Sequence, residues 1–334
     1  FVASQDAGEP FFGGRNTMGY DFYSFFLQVK NLGRWKNITL GRYRLNVGLG
    51  LILNNDFGFG KLSALTSLDR SSSCIIRGHS SRSSANYLQG AAATYTLLKG
   101  LELTGFLSYR QIDATLSAGG GGIKTILKTG LHRTVNEIAK QKVASNTLVG
   151  GNISYRHQGW HIGGTAFYTS FSLPLTPNKN QLYKRFAPEG NTFWNASISY
   201  GYISHRLTLS GETATGDELS KGYMVSEHIG WEWKWKKQLK GTLRGCLGYF
   251  HTSDFASRIY AYEPGLLYQM SFGSYYGEGI RYALVARSEI GSHLLLIAKL
   301  GTTDYFDRSH ISSGLQEIPR SSQSDLEIQV KWKW

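Results

Sequence analysis

The sequence predicts an all-β protein: a transmembrane, antiparallel, up-and-down β-barrel of about 16 strands, with about 14 as the lower bound. The first observation is the segment Asp325–Trp334, in which apolar and polar residues alternate from Leu326 onward. Alternation with a period of two indicates a β-strand with one apolar and one polar face. The second is that many other segments repeat this pattern. The third is that no apolar run approaches the roughly 18 residues that a membrane helix needs.

The alternating segments follow one another along the chain, which we treat as one domain over residues 1–334. The predicted strands are Phe1–Asp6, Tyr20–Lys30, Gly41–Leu53, Leu62–Leu68, Leu101–Arg110, Thr147–Arg156, Trp160–Tyr168, Trp194–Tyr202, Arg206–Glu212, Ile229–Trp235, Thr242–Phe250, Ser257–Glu263, Leu266–Phe272, Ile280–Arg287, Leu294–Gly301 and Leu326–Trp334. Within Gly41–Leu53, the residues Tyr43, Leu45 and Val47 are expected to face outward.

The breaks between these strands tend to alternate between short and long. Barrels of bacterial outer membranes have tight periplasmic turns and longer outer loops. We therefore expect extracellular or plug loops near 54–84, 113–144, 172–191 and 305–324. A short turn is expected at Pro264–Gly265. An even number of strands places both termini on the periplasmic side.

The last strand resembles the closing strand of bacterial outer-membrane barrels, where such a strand serves as the insertion signal. Its apolar face consists of Leu326, Ile328, Val330, Trp332 and Trp334. The resemblance implies recognition by the barrel-insertion machinery. An edge strand of a soluble sheet is the alternative interpretation.

Tryptophans near strand ends fit a girdle at the membrane–water boundary, which amphipathic rings favour. The predicted interface aromatics are Trp160, Trp194, Trp231, Trp235, Trp332 and Trp334. They predict contact with outer-membrane lipid and lipopolysaccharide. Aromatic core packing in a soluble β-sandwich is the alternative, but three same-face tryptophans in Trp231–Trp235 are hard to pack in a core.

The formal net charge of +13 is predicted to lie mostly inside the barrel. A Lys or Arg facing lipid at mid-depth would cost about 2–4 kcal/mol. The predicted inward basic residues are Arg42, Arg44, Arg110, Arg156, Arg206, Arg244, Arg281, Arg287 and Lys299. Such a lining favours anions in an open pore; alternatively, these cations pair with inward acids and plug loops and close the lumen. Nucleic acid is not an expected partner, because aromatic and basic residues lie on opposite faces of the strands.

Enzyme chemistry has no recognisable motif in this sequence. A hydrolase site needs a serine hydrogen-bonded to a histidine with an orienting third group. Candidate members are His161, Ser210, Glu212, Ser226 and His228, and none lies in a known motif. The two cysteines, Cys74 and Cys246, form no metal-binding pattern. We expect no enzymatic activity, no cofactor and no metal.

Several stretches resemble a family of outer-membrane barrels from Bacteroidota, whose members are often described through an N-terminal helix-hairpin-helix segment that is absent here. These stretches are Asp6–Gly14, Gly41–Gly60, Gly78–Gly90, Tyr183–Trp194, Tyr275–Arg287 and Ile311–Ile318. The resemblance implies a barrel located in a bacterial outer membrane.

Two functions follow as hypotheses. The favoured one is a non-enzymatic structural or accessory subunit of an envelope protein complex, in assembly or export, with a plugged lumen and other envelope proteins as partners. The alternative is a porin-like channel for small, preferably anionic solutes.

Overall fold

The computed structural model describes residues 1–13, 16, 19–53, 74–82, 87–178, 188–204, 206–216, 222–235, 239–252, 259–267, 272–312 and 316–332. The predicted strand Leu62–Leu68 and the residue Trp334 lie outside these ranges. Within them, no helix is both long enough and apolar enough to cross a membrane.

The regular secondary structure of the described chain consists almost entirely of strands. They are β1 (Val2–Ser4), β2 (Phe22–Ser24), β3 (Phe26–Leu32), β4 (Trp35–Asn46), β5 (Ile75–Gly78), β6 (Leu88–Leu98), β7 (Leu101–Ile112), β8 (Ala114–Leu116), β9 (Ile123–Ile126), β10 (Ala144–His157), β11 (Trp160–Leu175), β12 (Gly190–Ile203), β13 (Leu207–Gly216), β14 (Gly222–Trp235), β15 (Leu239–Thr252), β16 (Ile259–Tyr262), β17 (Phe272–Tyr275), β18 (Glu278–Ile290), β19 (Leu294–Tyr305) and β20 (Ser322–Trp332). A single helical turn, α1 (Val135–Ile138), is capped by Thr134, whose side chain accepts the N–H of Glu137.

The fold prediction is confirmed: one sheet of 16 strands, antiparallel except for a single parallel contact between β9 and β11, holds most of the chain. Its wall is the up-and-down series β3-β4-β6-β7-β10-β11-β12-β13-β14-β15-β18-β19-β20. Tight turns such as 99–100 and 158–159 lie at one end of this wall, the short-turn end. Connections such as 113–143 and 306–321 lie at the other, the long-loop end. The strand Leu88–Leu98, which the sequence did not predict, is part of the wall.

The two ends of the described chain do not share a side, contrary to the prediction. The wall series has an odd number of antiparallel strands, so β3 and β20 run in the same direction, from the long-loop end to the short-turn end.

The predicted first barrel strand, Phe1–Asp6, is also wrong. Its central residues form β1, which pairs with β2 in a separate small sheet beside the start of β3.

The wall presents apolar side chains outward and polar side chains inward. On the outer face, Leu107, Ile153 and Ile198 are 51%, 49% and 61% exposed. On the inner face, Thr104 and Ser199 are buried at 1% and 3% exposure. A soluble protein shows the opposite distribution, whereas a transmembrane barrel shows this one.

The upper part of β4 leaves the wall and turns into the lumen. Leu45 pairs with Ile76 of β5, and the carbonyl oxygen of Ile76 also accepts a hydrogen bond from Nδ2 of Asn37 at 3.1 Å. Eight residues of straight strand would separate Asn37 from Leu45 by about 26 Å. The strand must therefore bend sharply between them, and Gly41 allows this with a φ of +93°.

Candidate functional site

The lumen contains a two-stranded unit, which we call the infolded hairpin and define as residues 42–53 and 74–79. Its residues Tyr43, Leu45 and Val47 have no exposed surface. They pack with Phe106 and Phe167 of the inner wall, in a cluster that also includes Leu148. The prediction that Tyr43, Leu45 and Val47 face lipid is therefore wrong. These side chains are apolar because they fill the barrel, and the wall residues opposite them are apolar for the same reason.

The infolded hairpin reaches across the lumen to the opposite wall. Glu212, fully buried on the inner face of β13, accepts the backbone N–H of Leu49 at 2.7 Å and that of Leu51 at 3.3 Å through Oε2. Leu51 packs beside Phe250 of β15, in a cluster that includes Met224 and Tyr275. Contacts with walls on both sides show that the sheet curls around this segment and that the segment obstructs the lumen.

A second infolded segment, residues 263–267, covers the inner face of β18, β19 and β20. Leu266 and Leu267 pack against Val285, Leu295 and Ile297. The side chain of Gln329 accepts the backbone N–H of Leu267 at 2.8 Å and donates to its carbonyl oxygen. The predicted short turn at Pro264–Gly265 is therefore wrong. For their described residues, the flanking predicted wall strands Ser257–Glu263 and Leu266–Phe272 are wrong as well, because Ile259–Tyr262 pairs with Phe272–Tyr275 in a sheet separate from the wall. Leu266 and Leu267 are apolar because they pack inside the barrel.

An ionic network fixes this second segment to the wall. Arg281 donates from Nε and Nη2 to the carboxylate of Glu263 at 3.1 and 2.9 Å, and from Nη1 to Asp325 at 2.8 Å. Lys299 lies 3.6 Å from Glu263 and 3.5 Å from Glu327. Two of the predicted inward cations therefore neutralise acids inside the barrel.

Removing Arg281 should destabilise the protein, because Glu263 would remain buried without its bidentate partner. We expect Arg281→Ala to lower the free energy of unfolding by about 3–5 kcal/mol. The double variant Arg281→Met, Glu263→Gln should recover part of this loss. Urea unfolding in detergent micelles measures both, with Arg287→Ala as the control. A loss no larger than that of the control would contradict the assignment.

The other predicted basic residues fall into two groups. Arg110, Arg156, Arg244 and Arg287 occupy inward positions of β7, β10, β15 and β18, in register with buried inner-face residues. Arg42 and Arg44 belong to the infolded hairpin, and Arg206 is exposed in the turn before β13. Arg44 and Arg206 do not line the wall. Arg42 lies where β4 bends, still paired with Gln89 of β6, and it stacks on the rings of Phe22 and Tyr87 at 4.4 and 4.5 Å.

The predicted interface aromatics lie on the exposed face wherever they are described. Trp160, Trp194, Trp231, Trp235 and Trp332 are exposed. Trp160 packs against Tyr202 with 4.7 Å between ring centroids, close to the short-turn end. In β20, Leu326, Ile328 and Val330 share the exposed face with Trp332.

The hydrolase candidates are brought together only in part. Oγ of Ser226 lies 3.0 Å from Nε2 of His228, and both are buried on the inner face of β14. Glu212 pairs across the ladder with Ser226, but its carboxylate holds the infolded hairpin. His161 is buried near the start of β11, opposite Arg156.

A polar cluster that sequence reasoning missed lies at the long-loop end. It joins the segment before β3 to the connection between β7 and β10. Nδ1 of His132 is 2.8 Å from Oδ2 of Asp21, and its Nε2 is 3.0 Å from Oδ2 of Asp113. The backbone N–H of His132 donates to Glu9, and Nε2 of Gln141 donates to Asp21. These residues are distant in sequence and form no motif.

The electrostatics of this cluster follow from its hydrogen bonds. Burial would lower the pKa of His132, but hydrogen bonds to Asp113 and Asp21 outweigh burial and raise the pKa to about 9. Burial would raise the pKa of Asp21, but the hydrogen bond and charge of His132 outweigh that effect, and the pKa of Asp21 lies below its ordinary value.

Strand order, wall faces and lumen contents define the class: an antiparallel, up-and-down β-barrel with an apolar exterior and a filled interior. No family model and no curated protein matches the chain. Among solved structures, it is similar to the outer-membrane-expressed OmpT of Vibrio cholerae, with 8% identity, 93% of this chain and 80% of that chain covered, and a TM-score of 0.38.

Two further solved structures are similar at the same level. OprB of Pseudomonas putida shares 10% identity, with 84% of this chain and 67% of that chain covered and a TM-score of 0.42. The outer membrane channel DcaP of Acinetobacter baumannii shares 10% identity, with 89% and 72% covered and a TM-score of 0.38. At identities and TM-scores this low, the class is defined by the chain's own strand pairing and by its two faces.

Proposed function

We propose that this chain is an integral β-barrel of the bacterial outer membrane with a closed lumen, acting as a non-enzymatic structural or accessory subunit of an envelope protein complex. The membrane location is supported by the exposed apolar outer face of the wall. Lipid and lipopolysaccharide contact this face. The strand β20 engages the barrel-insertion machinery, and other envelope proteins are the functional partners.

The observation that carries the closed lumen is the contact of the infolded hairpin with walls on opposite sides. Its apolar cluster with Phe106 and Phe167 and its hydrogen bonds to Glu212 leave the hairpin fixed at both ends. The segment 263–267 adds a second obstruction, held by Arg281. Both lumenal segments are thus held in place by specific contacts, which an open, conducting pore would not require.

Planar-bilayer recording tests this proposal. We expect the purified, detergent-refolded protein to insert without producing a steady ionic current. Insertion is verified independently by protease protection in the same lipid. A steady current in most insertions would overturn the closed lumen. Stoichiometric co-purification of envelope proteins in mild detergent would support the subunit role, and a solitary barrel would count against it.

One observation favours a porin-like channel as the second candidate. Arg156, Arg244 and Arg287 occupy inward positions towards the short-turn end, Arg110 occupies one towards the long-loop end, and basic side chains that line a pore favour anions. If a steady current is found, its reversal potential in a salt gradient shows whether the pore prefers anions or cations. Anion selectivity would favour this candidate.

A further inference from the structure

We propose that the cluster of Glu9, Asp21 and His132 at the long-loop end binds one divalent transition-metal ion. One carboxylate oxygen of each acid and one ring nitrogen of His132 lie within 4.8 Å of one another. Two carboxylates and one imidazole are a donor set that suits Zn²⁺, Mn²⁺ or Fe²⁺ better than Ca²⁺ or Mg²⁺, which prefer oxygen donors alone. This inference does not rest on the proposed function.

The orientation of His132 is that of a metal ligand. Its Nδ1 faces Asp21 at 2.8 Å, while its Nε2 is held by Asp113 at 3.0 Å. Histidines that bind metals usually donate their other ring N–H to a carboxylate, which fixes the ring and strengthens the ligand. Asp113 has this position here, and is itself fixed by the backbone N–H of Lys142 at 2.8 Å.

The net negative charge of the buried cluster also favours binding of a cation. Glu9 and His132 are buried, and the side chains of Asp21 and His132 are each only 6% exposed. Three carboxylates, those of Glu9, Asp21 and Asp113, surround a single imidazole, so negative charge remains in excess even when the ring is protonated. Lys142, whose charge acts on Asp21, is exposed. Buried charge is costly unless it is paired or coordinates a metal.

Binding would connect two distant parts of the chain. Glu9 and Asp21 belong to the segment before β3, and His132 lies between β9 and α1, 123 residues from Glu9. Replacing the Nδ1 hydrogen of His132 by the metal releases that proton to solvent and leaves the bond from Nε2 to Asp113 intact. The metal would thereby fix the N-terminal segment to the long-loop end of the barrel.

The test is a Zn²⁺ titration of the full chain in detergent, free of any histidine tag, against a chromophoric chelator. We expect one Zn²⁺ per chain. Asp113→Asn should weaken binding about 10–100-fold, and Asp21→Asn and His132→Gln should weaken it further. Glu137→Gln, which removes a carboxylate from the same connection without touching the cluster, is the matched control. Co²⁺ should give a visible absorption band that Asp21→Asn abolishes.

Two results would overturn the proposal: no stoichiometric Zn²⁺ binding, or binding that these substitutions do not change, which would place the ion elsewhere, for instance on Cys74 or Cys246. If His132→Gln fails to fold, as judged by tryptophan emission, Glu9→Gln replaces it, and unchanged affinity in that variant would equally count against the site.

Discussion

Expelling the infolded hairpin should turn a silent barrel into a conducting one. The variant Leu45→Asp, Val47→Asp places two carboxylates in the apolar cluster that Tyr43 forms with Phe106 and Phe167. An uncompensated buried charge costs about 3–5 kcal/mol, so the hairpin is more stable outside the lumen than inside it. We expect a steady ionic current in planar bilayers where the unmodified chain gives none.

The control adds a carboxylate at a site outside the barrel. Val135, at the first position of α1, is 83% exposed, and Val135→Asp should leave the bilayer silent. Glu212→Ala is a milder variant that leaves the N–H groups of Leu49 and Leu51 without their acceptor. It should produce intermittent current. Continued silence of the double variant, with its insertion verified by protease protection, would show that the hairpin alone does not close the lumen.

Charging the outer face should be costly only if that face lies in lipid. Ile153 and Ile198 flank Gly164 on the outer wall and are about half exposed or more. In a bilayer, Ile153→Arg or Ile198→Arg should each lower the free energy of unfolding by about 2–4 kcal/mol. On a water-exposed surface, the same change would stay within about 0.5 kcal/mol.

Urea unfolding in lipid vesicles measures this difference, with Val135→Arg as the control outside the wall. The control should be close to neutral. If the outer-face variants were as neutral as the control, the apolar face would be in water or against another protein, and the membrane location would be wrong.

The wall was largely predictable from the sequence, because each wall strand separates a lipid environment from an enclosed one. Thr147–Arg156 and Trp160–Tyr168 alternate cleanly and fall within β10 and β11. The missed strand β6 shows the limit of the pattern. Its stretch Gly90–Thr94 consists of small residues whose outward and inward members hardly differ in polarity.

The lumen contents were not predictable, because alternation does not reveal which side of the wall receives the apolar face. Tyr43, Leu45 and Val47 alternate with Arg42 and Arg44 as a lipid-facing strand would. The decisive feature is the sharp bend at Gly41, and a glycine with positive φ cannot be distinguished by sequence from any other glycine. Leu266 and Leu267 were likewise assigned to a wall strand because their apolar side chains do not reveal that they pack inside the barrel.

The long-loop cluster had no sequence pattern that would have revealed it. Glu9, Asp21, Asp113 and His132 come from two separate parts of the chain, joined only by the fold. Each acid alone is typical of a solvated loop. Burial and mutual distance turn these residues into a candidate site, and both quantities require tertiary structure.

The bond between Leu49 and Glu212 also bears on the order in which the molecule is built. The two residues are 163 positions apart, and contacts between residues so distant in sequence form slowly, since loop-closure entropy opposes them. In the chain, the hairpin precedes most of the strands that surround it, so its contacts with the opposite wall form only after β13 and β15 have been added. This part of the barrel's interior thus consists of early residues that later strands enclose.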